Sequence, residues 1–102
     1  MGPSVAPGVV QVRWTRSAVR QLASIGGYIA ESNPKAATGI EARLREAVML
    51  LARFPAMGRP GRLAGTRELV VSGTPYIIPY RVTGGFVDIL AVFHAAQNRP
   101  LT

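Results

Sequence analysis

The stretch from Gly65 to Gln97, GTRELVVSGTPYIIPYRVTGGFVDILAVFHAAQ, constrains the fold more than any other. Ser72-Gly73-Thr74-Pro75 and Thr83-Gly84-Gly85 are turn chemistries, and they divide the stretch into three strand-like runs that read as an antiparallel meander. The middle run, Pro75 to Val82, places Tyr76, Ile78, Tyr80 and Val82 on one face and Ile77, Pro79 and Arg81 on the other. Pro79 cannot donate to a ladder, so a bulge or a locally unpaired position is expected there. The last run, Phe86 to about Ala95, is apolar on both faces, Ile89, Ala91 and Phe93 against Leu90, Val92 and His94. It therefore reads as the sheet centre, covered on both sides.

Upstream, Val9 to Trp14 alternates as a half-buried strand, with Val10, Val12 and Trp14 on its inner side. Ala18, Leu22, Ile25 and Ile29 then recur at helical spacing behind a Thr15 cap, with Gly26 and Gly27 inside the pattern. Asn33-Pro34 caps and opens a second helix reaching to about Phe54. Its stripe is Ala37, Ile40, Leu44, Val48 and Leu51, widened by Ala47 and Phe54. The pairs Glu41/Arg45 and Glu31/Lys35 have the spacing of helical ion pairs. Pro55 to Gly65 is an irregular basic loop. Residues 1–8 read as a flexible lead and residues 9–102 as one domain, an α+β fold in βααβββ order. A mostly antiparallel four-stranded sheet would carry an antiparallel helical hairpin on one face.

The charge balance narrows the partners. Twelve Lys+Arg against five Asp+Glu give +7, and eleven of the cations are arginine. Arg53, Arg59, Arg62 and Arg67 fall within fifteen residues that contain no acid, a field that favours nucleic acid or an acidic protein segment. A solvated charged loop is the plainer account of that run. No cysteine and one histidine leave no zinc constellation and no Ser/His/Asp triad, and no cofactor or metal is expected. Nothing in the chain approaches a membrane span or a secretory signal, so a cytoplasmic location is expected.

Four further residues carry candidate chemistry. His94, at the end of the last run, suits general acid or base work on RNA, or a purely structural role with its ring hydrogen-bonded to the backbone. Arg81 suits phosphate binding, or pairing with Glu68 or Asp88 on a neighbouring strand. Tyr76 and Tyr80 suit base stacking, although aromatic residues at a spacing of two more often belong to a core.

The ordered set of Trp14 with Ala18, Leu22, Ile25, Tyr28 and Ile29, then Asn33-Pro34, Pro55, Gly58-Arg59, Gly65 to Val71, Pro75 to Val82 and Ile89 to Gln97 resembles ParE-type toxins of the RelE/ParE superfamily. The resemblance runs from about Val10 to Pro100. It implies the toxin half of a type II toxin–antitoxin module, partnered by a cognate antitoxin whose acidic or amphipathic segment wraps the domain. It implies one of two targets, DNA gyrase for ParE-like members or ribosome-bound mRNA for RelE-like members. RelE-like cleavage uses basic residues on the middle strands, where this chain has Glu68, Val70 and Ile77. A ParE-like, gyrase-poisoning toxin is therefore the leading expectation. Arg53, Arg59, Arg62, Arg67, Arg81 and His94 are its target-binding or antitoxin-binding candidates. The alternatives are a ribosome-dependent endoribonuclease using His94, Arg81 and Tyr80, and an inactive member that only binds a partner.

Overall fold

The computed structural model describes residues 10–96; the proposed lead at 1–8 lies outside them. In chain order it comprises β1 (Gln11–Trp14), α1 (Arg16–Ala30), α2 (Pro34–Leu50), β2 (Arg59–Pro60), β3 (Arg67–Val70), β4 (Tyr76–Thr83), β5 (Phe86–Ile89) and β6 (Phe93–His94). The expected βααβββ order is present with two short additions. The strands line up as β1-β5-β4-β3-β2, β1 runs parallel to β5, the other pairings are antiparallel, and β6 joins β4.

Local chemistry places the helices as anticipated. The Thr15 hydroxyl accepts from the Ala18 amide and the Asn33 side chain from the Ala36 amide, and Pro34 opens α2 where no amide is needed. Ala18, Leu22, Leu44, Val48 and Leu51 pack with Leu69, Val71, Tyr76, Ile78, Tyr80, Val87, Ile89 and Val92 into one core between the hairpin and one sheet face. Each large side chain sealed there contributes roughly 2 to 3 kcal/mol of apolar burial. Gly26 is buried in the hairpin, and a β-carbon there would strike the Glu41 carboxylate, whereas Gly27 faces open space. Gly26 thus permits the close approach of α2, and Gly27 does not take part in it. Among the described residues the ion pairs are Arg13–Asp88 and Arg59–Glu68, and neither helical pair closes. Arg45 instead lies over the Trp14 ring, 6.0 Å from its centroid.

Pro79 produces the main departure from simple alternation. Tyr80 pairs with Ile89 and Ile77 with Phe93, so Ile78 and Pro79 face three residues, Leu90, Ala91 and Val92. The extra residue is a bulge. It splits the anticipated last strand into β5 and β6, one reason there are more than four strands; the other is the short Arg59–Pro60 pairing inside the basic loop. The Leu90 amide donates to the Pro79 carbonyl at 2.9 Å, and the Val92 amide donates to the Gln21 side chain of α1 at 2.8 Å. Because the bulge shifts alternation by one, Val92 and His94 fall on the same face as Ile89. The expected grouping of Ile89 with Ala91 and Phe93 is corrected accordingly.

Tyr80 ties the basic loop to the core. Its ring is 0% exposed, and its hydroxyl donates to the Pro55 carbonyl at 2.7 Å and accepts from the Gly58 amide at 2.9 Å. Burial raises the phenol's pKa above its ordinary value, so the hydroxyl stays protonated as a donor. Gly58 fits because a β-carbon there would meet the Tyr80 hydroxyl at 2.6 Å and the Glu68 carbonyl at 2.9 Å.

Two stability outcomes follow from these contacts. Tyr80→Phe leaves the Pro55 carbonyl and Gly58 amide without their shared partner and is expected to cost about 2 kcal/mol in urea unfolding; a loss below roughly 0.5 kcal/mol would contradict the anchoring role. Arg59→Ala takes the guanidinium from a Glu68 side chain that is 6% exposed. A loss of about 1 to 2 kcal/mol is expected by the same measurement, and an unchanged midpoint would count against the pair.

Candidate interaction surface

The basic loop contributes fewer available cations than its sequence suggests. Arg67 is half-buried, and its guanidinium donates to the Gly58 carbonyl at 2.8 Å and the Ala56 carbonyl at 3.3 Å. Arg59 is committed to Glu68, 3.1 Å away. Both arginines hold the loop against β3. Arg53 and Arg62 are exposed and make no side-chain hydrogen bond or ion pair among the described residues.

Arg53 lies among exposed apolar side chains. Phe54, expected to widen the buried stripe of α2, is 57% exposed, beside Met49 at 73%, Leu50 at 48% and Met57 at 47%. The physical reason is that the regular helix ends at Leu50, and the turn that follows, with the Phe54 amide on the Leu50 carbonyl and the Met57 amide on the Phe54 carbonyl, keeps Phe54 on the side away from the core. The core takes Val48 and Leu51 and leaves their neighbours in solvent. The excess of apolar residues over what one helix face can bury was the available signal.

On the outer sheet face, the side without the hairpin, Arg13, Asp88 and Arg81 form a row across β1, β5 and β4. Arg13 bonds both carboxylate oxygens of Asp88, at 2.7 and 3.2 Å, and stacks on Phe86 at 3.7 Å. Asp88 is thus held below its ordinary value of 3.8, chiefly by the Arg13 hydrogen bond, with Arg13 and Arg81 charge adding. A lowered carboxylate contributes stability above its ordinary value and loses it as pH falls through the lowered one. Arg81 has Asp88 opposite it as expected, but the carboxylate's hydrogen bonds go to Arg13.

His94 sits on the other face. Its ring meets Tyr76 edge-on at 5.5 Å, and its Nδ1 accepts from the Ala96 amide at 3.1 Å. It lines an open cleft of about 460 Å³ between α1 and β6, with Gln21, Ile25, Tyr28, Tyr76 and Phe93. Tyr28, 76% exposed, stands outside the buried stripe of α1 and lends its ring to this cleft. Burial first, and the neighbouring Tyr28 second, raise the Tyr76 phenol pKa. His94 pairs opposite Tyr76, five residues along β4 from Arg81, so the two side chains are about 17 Å apart along the strand and on opposite faces. Tyr80, the third nuclease candidate, is sealed in the core without access to a substrate. The described residues hold no group of three or more His, Cys, Asp or Glu able to hold a metal, and no helix among them is long and apolar enough to cross a membrane.

Comparison with known proteins agrees with this architecture. The family described as ParE toxin of type II toxin-antitoxin system, parDE, matches residues 12–99. Y4kP of Sinorhizobium fredii, whose name designates it a toxin, is 51% identical over 88% of this chain and 93% of its own. Toxin RelE2 of Caulobacter vibrioides is 42% identical over 87% and 99%. Among solved structures, a chain of the chromosomal ParDE system from P. aeruginosa superposes with a TM-score of 0.79 at 27% identity, covering 85% of this chain and 97% of that one. A chain of the RelBE2 toxin-antitoxin complex from Mycobacterium tuberculosis gives 0.65 at 28% identity, covering 89% and 97%. With most of its length matched, the chain belongs to the ParE toxin family of type II toxin–antitoxin systems.

Proposed function

We propose that this toxin acts in the cytoplasm by binding rather than by RNA cleavage, that its target is DNA gyrase, and that a cognate antitoxin neutralises it in a hetero-oligomeric complex. One observation carries the reading. The histidine that would move protons and the arginine that would hold phosphate lie on opposite sheet faces, about 17 Å apart along β4, whereas phosphodiester cleavage needs both at one phosphate, within hydrogen-bond reach. The surface instead offers exposed apolar side chains beside available arginines, features suited to macromolecular docking.

A ribosome-dependent ribonuclease is the second reading, favoured by the relatives that carry the RelE name. Brief expression in a bacterial host, followed by gels of plasmid DNA and total RNA, separates the two. Growth arrest with trapped gyrase cleavage complexes and intact mRNA is expected, and His94→Ala is expected to arrest growth as the parent does. Fragmented mRNA that disappears in His94→Ala would replace this reading with the ribonuclease, and normal growth would leave a member that only binds a partner.

A further inference from the structure

The end of α2 and the turn after it present a surface that the core does not use. Met49 and Arg53 are four residues apart, as are Leu50 and Phe54, and the amides of Arg53 and Phe54 both reach the Leu50 carbonyl. The turn after α2 therefore keeps helical spacing as far as Phe54, so Met49, Leu50, Arg53 and Phe54 lie in a strip on one outward side, and the exposed Met57 follows with its amide on the Phe54 carbonyl. Between Glu46 and Glu68 the chain has four arginines and no acid. Two of the four serve the fold, which leaves Arg53 inside the strip and Arg62 in the adjoining loop to face a partner.

We infer that this strip, Met49, Leu50, Arg53, Phe54 and Met57, is the docking site of an amphipathic acidic segment of the antitoxin; the inference rests on the toxin–antitoxin reading above. Apolar side chains 47 to 73% exposed lose free energy in water that a partner's apolar residues recover on contact. Arg53 in their midst becomes desolvated on docking and requires a carboxylate there, which charge-assisted hydrogen bonds provide. Nucleic acid would satisfy the arginines but would leave the methionines and Phe54 uncovered. An apolar segment without acids would bury Arg53 with no counter-charge. The occupant that satisfies both is a segment with apolar residues on one side and carboxylates at its margin. The methionines suit it, since their flexible side chains reshape around a partner's contours.

The test takes as its probe the purified antitoxin that restores growth when co-expressed with this toxin, and measures its binding by calorimetry to the parent chain and to variants whose folding is checked by thermal unfolding. Met49→Glu with Phe54→Glu is expected to weaken binding tenfold or more, while Val19→Glu, an exposed apolar position on α1, leaves it within twofold. Arg53→Glu with Arg62→Glu is expected to weaken binding and flatten its salt dependence, and this pair keeps the proposal testable if the first does not fold. Variants that bind within twofold of the parent would overturn the docking site while leaving the toxin reading intact. A parent chain that does not bind that antitoxin would overturn both. Loss of binding to a 20-base-pair DNA duplex in Met49→Glu with Phe54→Glu, with antitoxin binding retained, would reassign the strip to nucleic acid and overturn the proposal.

Discussion

A proline in the middle of the longest strand sets much of the rest. Pro79 has no amide to donate, and the facing strand answers by bulging outward across Leu90, Ala91 and Val92. The bulge ends β5, begins β6 and exposes an amide at Val92 that α1 satisfies through Gln21. A side chain of the hairpin is thereby bonded to the sheet at the place where the sheet is interrupted. Helix and strand stand apart just beyond that bond, and the cleft lined by Tyr28, Tyr76 and His94 lies there. The same one-residue shift turns His94 toward the helices and away from Arg81. A backbone constraint at one position thus separates two side chains that simple alternation would have placed on a common face.

The basic loop shows how a charged run divides between structure and contact. Tyr80 reaches out of the core to bond Pro55 and Gly58, and Arg67 bonds the carbonyls of Ala56 and Gly58, so the loop's backbone is held at several points without regular structure. Arg59 offsets the charge of a nearly buried Glu68. These two arginines act as packing elements, and their charge is largely answered within the fold. Arg53 and Arg62 have no such partner among the described residues and are left to face an approaching macromolecule.

Much of this was legible in the residues. Thr15 and Asn33-Pro34 mark the helix starts by side-chain chemistry that tertiary packing does not override. Gly73 and Gly84 take the positive φ values that the two hairpin turns require, and Pro79 announced its bulge. What the sequence could not convey was the direction of the bulge's consequence, since an inserted residue reverses every later side chain while leaving the composition unchanged. Phe54 was misplaced for a related reason. Periodicity reports that a residue lies on a helical stripe, but not where the helix ends relative to the core it covers. The partners of Arg59 and Arg67 were hidden too, because they depend on contacts between loop and strand that local pattern does not encode.

The two-residue strand Arg59–Pro60 closes one end of the sheet, and its brevity has a consequence for association. An open sheet margin invites another chain to continue the ladder through its backbone, which is how strand-rich proteins polymerise. Here the margin carries a proline, which cannot donate, and an arginine whose side chain folds back onto Glu68. A neighbouring molecule finds little template for backbone pairing along that two-residue strand. Recognition there is left to side chains, a mode of contact that discriminates between partners where a bare ladder would accept nearly any extended chain.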